Sequence, residues 1–280
     1  WGRILTTDEI NALALLPIYG CTDPNATNYD ETANIDDGSC VYSSNYLNHI
    51  ETLTFDNNTN RTYSFDQTSD DGYIIVGGKY VYNTDSHDVL LIKTDSQGNQ
   101  EWSKITNISI LEGSMGSTSG ISFQQTDDNG YIIVGEGLVK TDSEGNEEWI
   151  KNDVNGYSIE PTDGGGYIIC GFTGSVSTHD LSLIKIDDYG NTEWISIFSG
   201  NQNEDGRSVQ QTQDGGYIIT GYTNSYGNGG FDVWLIKTDL LGGQEWIHTF
   251  GGSGEDRGRS VKQTIDGGYI ITGYTKSFGN

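Results

Sequence analysis

A repeated pattern is the feature of this 280-residue chain that most constrains its fold. The tripeptide Tyr-Ile-Ile occurs five times, and in each copy a Ser stands nine residues before the Tyr. A Phe, Ile or Val follows that Ser, and a Thr comes three residues later. The five copies begin at Tyr73, Tyr131, Tyr167, Tyr217 and Tyr269. Self-similarity at a period of about 20–50 residues is typical of solenoids and propellers, in which one supersecondary unit is repeated.

Each repeat predicts four strands, as residues 208–250 illustrate. The segments 208–212, 217–221, 232–237 and 244–250 have strand-like composition, and glycine-containing turns separate the first from the second and the third from the fourth. A chain with 39 Gly and only 3 Pro also favours many short strands joined by tight turns. A four-stranded unit of about 45–50 residues is typical of a propeller blade, which buries both faces only against neighbouring blades. We therefore expect an all-β fold, a β-propeller of four-stranded antiparallel blades.

The repeats predict about four and a half blades in a domain covering residues 46–280, as part of a larger ring. Residues 46–55 resemble an outer strand that closes the ring with the last blade or ends an earlier one. The first methionine is Met115, and we expect a processed piece of a longer protein. The expected blades are 59–106, 118–152, 155–199, 205–251 and a partial blade at 257–280.

The repeat resembles known propeller families. The segments S-V-Q-Q-T-Q-D-G-G-Y-I-I-T-G-Y-T and D-V-W-L-I-K-T-D-L-L-G-G-Q-E-W are similar to repeats of large secreted prokaryotic surface proteins. The second segment also resembles the blade motif of quinoprotein propellers, although the chain has no vicinal cysteine pair for a quinone site. The resemblance implies that one Trp per blade docks against the next blade. These residues are Trp102, Trp149, Trp194 and Trp246.

Residues 1–45 depart from the repeat and predict a separate small module. A capping box at residues 6–9 predicts a short helix, with coil as the alternative. Cys21 and Cys40 bracket a polar segment, and their closeness favours a disulfide formed in an oxidising compartment. The segment resembles Cys-bracketed Asp/Asn modules of surface proteins and the calcium loops of thrombospondin type 3 repeats.

Oxygen-bearing side chains in this module are candidate calcium ligands, because Ca²⁺ takes six to eight oxygens. The alternative is a disulfide-stapled loop in which the same side chains form turns. The candidate ligands are Asp23, Asn25, Asp30, Asp36 and Asp37.

The charge balance narrows the class of partner. With 14 Lys+Arg against 40 Asp+Glu, the formal net charge is −26, which disfavours nucleic acid and anionic membrane surfaces. Divalent cations and neutral polar ligands fit better, and no apolar run approaches the ~20 residues of a membrane span. Four sequons, at Asn25, Asn57, Asn60 and Asn107, are compatible with glycosylation or with chance.

The expected ring carries further candidate residues in its loops. Acidic pairs at Glu204-Asp205 and Glu255-Asp256 are each followed by Arg207 or Arg259, on the rim that also holds Asp88, Asp180 and Asp232. Such acids bind calcium or a partner, or else form ion pairs between blades. Aromatic residues in the loops between strands two and three are candidates for stacking on sugars, namely Tyr80, Tyr82, Tyr222 and Tyr226.

The sequence favours a protein without catalytic activity. Cys170 occupies a position held by Val or Thr in other repeats, so we expect a buried thiol and no catalytic role. The Lys and Asp of strand three recur in every complete repeat, as architectural residues do. We expect a secreted or cell-surface structural or adhesive module that contacts other surface proteins, copies of itself or glycans. The alternative is an extracellular polysaccharide lyase or hydrolase on a propeller scaffold.

Overall fold

A computed structural model describes residues 18–22, 24, 26, 28–36, 39, 60–81, 86–109, 121–175 and 178–277. The chain forms two compact units, Trp1–Thr54 and Phe55–Asn280. Their boundary falls nine residues after the 45/46 boundary expected from composition. All regular elements in the described residues are β-strands. No helix in that part of the chain has the length and apolarity needed to cross a bilayer.

The first unit contains two short parallel strands, β1 (Tyr19–Gly20) and β2 (Ile35–Asp36). Asp30 lies between them, and its carboxylate accepts hydrogen bonds from the backbone N–H of Thr32 (2.9 Å) and from its hydroxyl (2.6 Å). These bonds lower the pKa of Asp30. Cys21 is buried. The helix expected near residues 6–16 and Cys40, the expected disulfide partner, lie outside the described residues, so both remain predictions.

Three of the repeats contain four antiparallel strands in sequence order, as expected, and in the third and fourth repeats these strands form separate four-stranded sheets. The first sheet comprises β3 (Asn60–Gln67), β4 (Tyr73–Val81), β5 (Ser86–Thr94) and β6 (Gln100–Ser109). The third comprises β10 (Ser158–Pro161), β11 (Tyr167–Ser175), β12 (Thr178–Ile186) and β13 (Thr192–Phe198). The fourth comprises β14 (Glu204–Gln211), β15 (Tyr217–Thr223), β16 (Asp232–Thr238) and β17 (Gln244–Phe250).

The second repeat has three strands, so the prediction of four strands there was wrong. These strands are β7 (Ser122–Gln125), β8 (Tyr131–Thr141) and β9 (Glu147–Asn155). Strands two and three of the pattern merge into β8, whose first half pairs with β7 and whose second half pairs with β9. Glu136 and Gly137 stand where the other repeats reverse direction, but here the strand continues through both residues. Glu136 also pairs with Ser109, which joins the first and second repeats into one seven-stranded sheet.

The fifth repeat is a two-stranded sheet, β18 (Asp256–Gln263) and β19 (Tyr269–Thr275). Apolar cores lie between successive repeats, because both faces of strand two carry buried residues. In β15, Tyr217 and Ile219 belong to the core shared with the third sheet, whereas Ile218 belongs to the core shared with the fifth. This period of two is that of a strand buried on both sides. The antiparallel sheets packed in sequence order are compatible with a propeller-like fold.

Candidate functional site

The repeated Trp residues contact the following sheet. The rings of Trp102 and Tyr131, Trp194 and Tyr217, and Trp246 and Tyr269 lie with centroids 6.0, 5.8 and 5.7 Å apart. Three of the repeated indoles, those of Trp102, Trp149 and Trp194, also cover a turn glycine of the next repeat, and each of these glycines has a left-handed backbone. A Cβ added at Gly145, Gly190 or Gly242 would lie 2.7, 2.6 or 2.5 Å from Trp102, Trp149 or Trp194, respectively. We call each pairing of an indole with such a glycine a Trp socket.

The repeated lysines of strand three are buried and paired with carboxylates. In the fourth sheet, Lys237 contacts Asp214 at 2.9 Å and Glu245 at 3.1 Å, and donates to the carbonyl of Thr238 at 2.9 Å. Hydrogen bonds from Thr212 and then from Lys237 lower the pKa of Asp214 to about 2. Lys93 and Lys140 repeat the arrangement with Asp70 and Glu101 and with Asp128 and Glu148. The recurring Lys therefore links the turn after the first strand of its repeat to the last strand of that repeat.

The repeated Ser and Gln join neighbouring sheets. The backbone N–H groups of Val209 and Val261 donate to the hydroxyls of Ser158 and Ser208, each at 3.3 Å. The side chain of Gln211 accepts a hydrogen bond from the backbone N–H of Asp163 at 2.8 Å. These repeated polar side chains thus have structural partners, so a binding site specific to this chain is best sought among its unrepeated residues.

The two acidic pairs of the expected rim do not occupy equivalent positions. Glu204 pairs with Thr223 across its sheet, and Asp256 pairs with Thr275, so Glu204 and Asp256 are the true counterparts. Glu204 accepts a hydrogen bond from the hydroxyl of Thr223 at 3.0 Å. Asp256 accepts hydrogen bonds from the hydroxyls of Thr275 and Ser277. The remaining acids differ from each other, since Glu255 is half-buried and pairs with Lys276 at 2.7 Å, whereas Asp205 is buried.

Asp205 is the centre of a buried polar network between the third and fourth sheets. It accepts hydrogen bonds from Arg207 (3.2 Å) and the Tyr222 hydroxyl, and lies 3.4 Å from Nε2 of His179. Burial raises the pKa of Asp205, but the neighbouring His179 and the charge of Arg207 outweigh burial and lower it overall. The Arg207 guanidinium also stacks on Tyr157, 3.7 Å from the ring centroid. Asp205 and Arg207 both lie on β14, so their ion pair is within one sheet and not between blades, and it contacts the third repeat through His179 and Tyr157.

Tyr222 is only 5% exposed, so the structure contradicts its predicted role as a platform for sugars. Its ring is covered by Arg257, whose guanidinium carbon lies 4.6 Å from the centroid, and it packs against Phe231. The side chain of Tyr80 and the whole of Tyr82 lie outside the described residues. Tyr226 is 48% exposed and remains a candidate.

The candidate calcium ligands are only partly described. Asp23, Asn25 and Asp37 lie outside the described residues, and only the backbone of Asp36 is described. Within the described ranges, no three His, Cys, Asp or Glu side chains lie close enough together to hold a metal ion.

Of the sequons, Asn25 and Asn57 lie outside the described residues, and Asn60 begins β3. The side-chain amide nitrogen of Asn107, the atom to which a glycan would be attached, donates to Glu147 at 2.6 Å. Glycosylation of Asn107 would therefore replace a hydrogen bond present in this structure.

An open cleft of about 460 Å³ lies where β13 of the third sheet meets β16 and β17 of the fourth. Eight residues line it, and none of them is charged, although 19% of the chain is charged. The lining residues are Ile197, Phe198, Ser199, Tyr226, Trp234, Gln244, Ile247 and Thr249. We call this the Tyr226 cleft.

Two stacked aromatic rings form one wall of the Tyr226 cleft. The centroids of Tyr226 and Trp234 are 5.7 Å apart and their planes differ by 23°. The Tyr226 hydroxyl donates to the carbonyl of Ser199 at 3.0 Å. Trp234 is 2% exposed, and its indole Nε1 is buried without a hydrogen-bond partner among the described residues. Sequence reasoning identified Tyr226 but missed Trp234.

A signal for Trp234 was nevertheless present in the sequence. The equivalent position, which pairs with the second-strand glycine, holds Leu90 in the first sheet and Ser182 in the third. A Trp there is therefore unrepeated and marks the fourth sheet as different.

A second cleft of about 370 Å³ lies along the first strands of the third and fourth sheets. It is rich in Gln and contains two carboxylates, those of Glu160 and Asp163. Lys262 of the fifth sheet lies 3.5 Å from Glu160. Glu160 and Asp163 are the two carboxylates of this cleft, so substituting them tests the enzyme alternative here.

Comparisons with known proteins do not show a family. No protein-family model matches the chain. A segment of 23 residues is 83% identical to ribulose bisphosphate carboxylase/oxygenase activase 1, chloroplastic, from Larrea tridentata, which is 8% of this chain and 5% of the activase. A crystal structure of a eukaryotic initiation factor is similar with a TM-score of 0.36 and 6% identity, over 68% of this chain and 55% of that one. At that TM-score the likeness carries no argument.

Proposed function

We propose that the chain is a non-catalytic β-propeller module, secreted or displayed on a cell surface, that contacts surface proteins or glycans. The propeller interpretation is supported by antiparallel sheets that follow one another in chain order, each buried against the next. The repeated Trp sockets supply the same junction three times, as a blade array requires.

The observation that carries the binding function is a division of roles between repeated and unrepeated residues. Repeated polar side chains such as Lys237 and Ser208 satisfy one another within and between sheets. The unrepeated Tyr226 and Trp234 instead line an open, uncharged cleft. A concave surface with aromatic walls and a few polar groups is the usual form of a ligand site.

The N-terminal unit belongs to the same proposal. A disulfide between Cys21 and Cys40 would close the loop between these two residues and contribute about 3 kcal/mol to the free energy of unfolding. Asp30 is a candidate calcium ligand there, because both hydrogen bonds from Thr32 go to the same oxygen, Oδ1, of its carboxylate.

The proposal is tested by separating binding from turnover. The full chain should bind a subset of arrayed glycans or surface proteins, and incubation with polysaccharides should release neither reducing ends nor unsaturated products. Release of product that is abolished by Glu160→Gln and Asp163→Asn, but unchanged by Glu144→Gln in a turn of the second repeat, would establish the enzyme alternative instead.

A further inference from the structure

The Tyr226 cleft has the chemistry of a carbohydrate site. We infer that it binds a pyranose ring of a neutral sugar, with Tyr226 as the stacking platform. The inference rests on the proposed binding function and assigns it a place and a class of ligand.

The absence of charge in the lining selects a neutral ligand. A charged group entering a site without a counter-charge would lose hydration with no compensating pair. The net charge of −26 further disfavours acidic polysaccharides, because it repels anions over the whole surface. A neutral molecule that is polar at its edges fits a lining made of Ile, Phe, Tyr and Trp beside Ser, Thr and Gln.

The aromatic wall suits the flat C–H face of a sugar ring. Tyr226 is held from behind by Trp234 and at its hydroxyl by the carbonyl of Ser199, so its ring is fixed before a ligand arrives. Nearly half of its surface is still exposed. A rigid aromatic ring offers apolar contact area at little cost in conformational entropy, which is the advantage of preorganisation.

Polar groups around this wall match the hydroxyls of a sugar. Gln244 provides both donors and an acceptor, and the hydroxyl of Thr249 provides one of each. The cleft volume of about 460 Å³ lies within the ~300–1,000 Å³ range of small-ligand sites and has room for one or two sugar rings.

The test is a titration of the full chain with glucose, galactose, mannose, N-acetylglucosamine and glucuronate, followed by calorimetry and by Trp fluorescence. At least one neutral sugar should bind at least tenfold more tightly than glucuronate. Tyr226→Ala should weaken that binding at least tenfold. Tyr226→Phe, which keeps the ring, should retain it within threefold. Tyr189→Ala is the matched control, because Tyr189 is a 77%-exposed tyrosine outside the cleft, and it should change nothing.

Three results would overturn the inference: no neutral sugar binds, glucuronate binds as well as the neutral sugars, or Tyr226→Ala binds like the native chain. Circular dichroism of Tyr226→Ala checks its fold. If that variant unfolds, the two single variants Tyr226→Phe and Thr249→Val test the cleft instead. Thr249→Val should then weaken binding, and an unchanged affinity would refute the site. If surface proteins still bind while no sugar does, only the sugar inference fails. If nothing binds, the proposed function fails with it.

Discussion

Replacing Gly242 with alanine tests the Trp sockets directly, because the new methyl group would occupy space held by the Trp194 indole. Gly242 has φ +77, and its added Cβ would lie 2.5 Å from both the indole and the Ser196 hydroxyl. Gly98 provides a matched control in the equivalent turn of the first sheet. It has φ +85, but no atom of the described residues lies within 4 Å of its added Cβ.

The two substitutions share one cost and differ in another. A left-handed backbone costs an L-residue about 1–2 kcal/mol, which applies to both positions. The gain of about 0.4–1 kcal/mol from a less flexible unfolded chain is also common to both and cancels in the comparison. Only Gly242→Ala adds overpacking against the indole, which costs about 1–3 kcal/mol. Gly242→Ala should therefore lower the free energy of unfolding by about 1–3 kcal/mol more than Gly98→Ala.

Urea unfolding and thermal melting of the full chain, each followed by circular dichroism and by Trp fluorescence, measure this difference. At about 2–4 °C per kcal/mol for a unit of this size, the melting temperatures should differ by about 2–12 °C. Gly190→Ala, whose Cβ would lie 2.6 Å from Trp149, should behave like Gly242→Ala. Equal destabilisation by Gly98→Ala and Gly242→Ala would refute the reasoning, since the backbone cost alone would then explain both.

Three further predictions concern acid, thiol chemistry and calcium. Hydrogen bonds from Lys93 and then from Thr68 lower the pKa of Asp70 to about 2. The contribution of Asp70 to the free energy of unfolding is therefore present above pH ~4 and is lost as the pH falls through ~2. A urea midpoint that does not change between pH ~4 and ~2 would contradict this. Cys170 is a buried free thiol whose pKa is raised by burial, so alkylation should label it only after unfolding, as mass spectrometry would show. If Asp30 and its neighbours bind calcium, millimolar calcium should raise the melting temperature more than sodium chloride of equal ionic strength does. The expected stabilisation is ~2.7 kcal/mol at a hundredfold excess over the dissociation constant. Equal melting temperatures would exclude specific binding.

The repeat pattern was a good guide to the sheets because it encodes local and nearest-neighbour contacts. The observed β17 coincides with the segment 244–250 expected from the pattern. The prediction for the second repeat was wrong because four strands require the chain to reverse between strands two and three. The two residues Glu136 and Gly137 instead continue one strand, in which only Glu136 is exposed.

The site was harder to predict, because it depends on contacts between residues distant in sequence. The sequence places Tyr222 and Tyr226 in the same kind of loop. In the structure, the hydroxyl of Tyr222 donates a hydrogen bond to Asp205 and its ring is buried, whereas Tyr226 is exposed. The likeness of the two Glu-Asp pairs was misleading in the same way, since strand pairing aligns Glu204 with Asp256. Only a comparison of strand-three positions across repeats would have singled out Trp234.

The Trp sockets give the array a direction, because each interior sheet presents an indole to its successor and receives one from its predecessor. Since Trp102, Trp149 and Trp194 meet the same kind of turn, duplication or loss of a whole repeat in the gene would leave the remaining junctions chemically unchanged. The array can thus change in length during evolution without redesign of its interfaces. Tyr226 and Trp234 occur together in the fourth sheet alone among the described sheets, so recognition would be inherited with that single repeat while the others multiply around it.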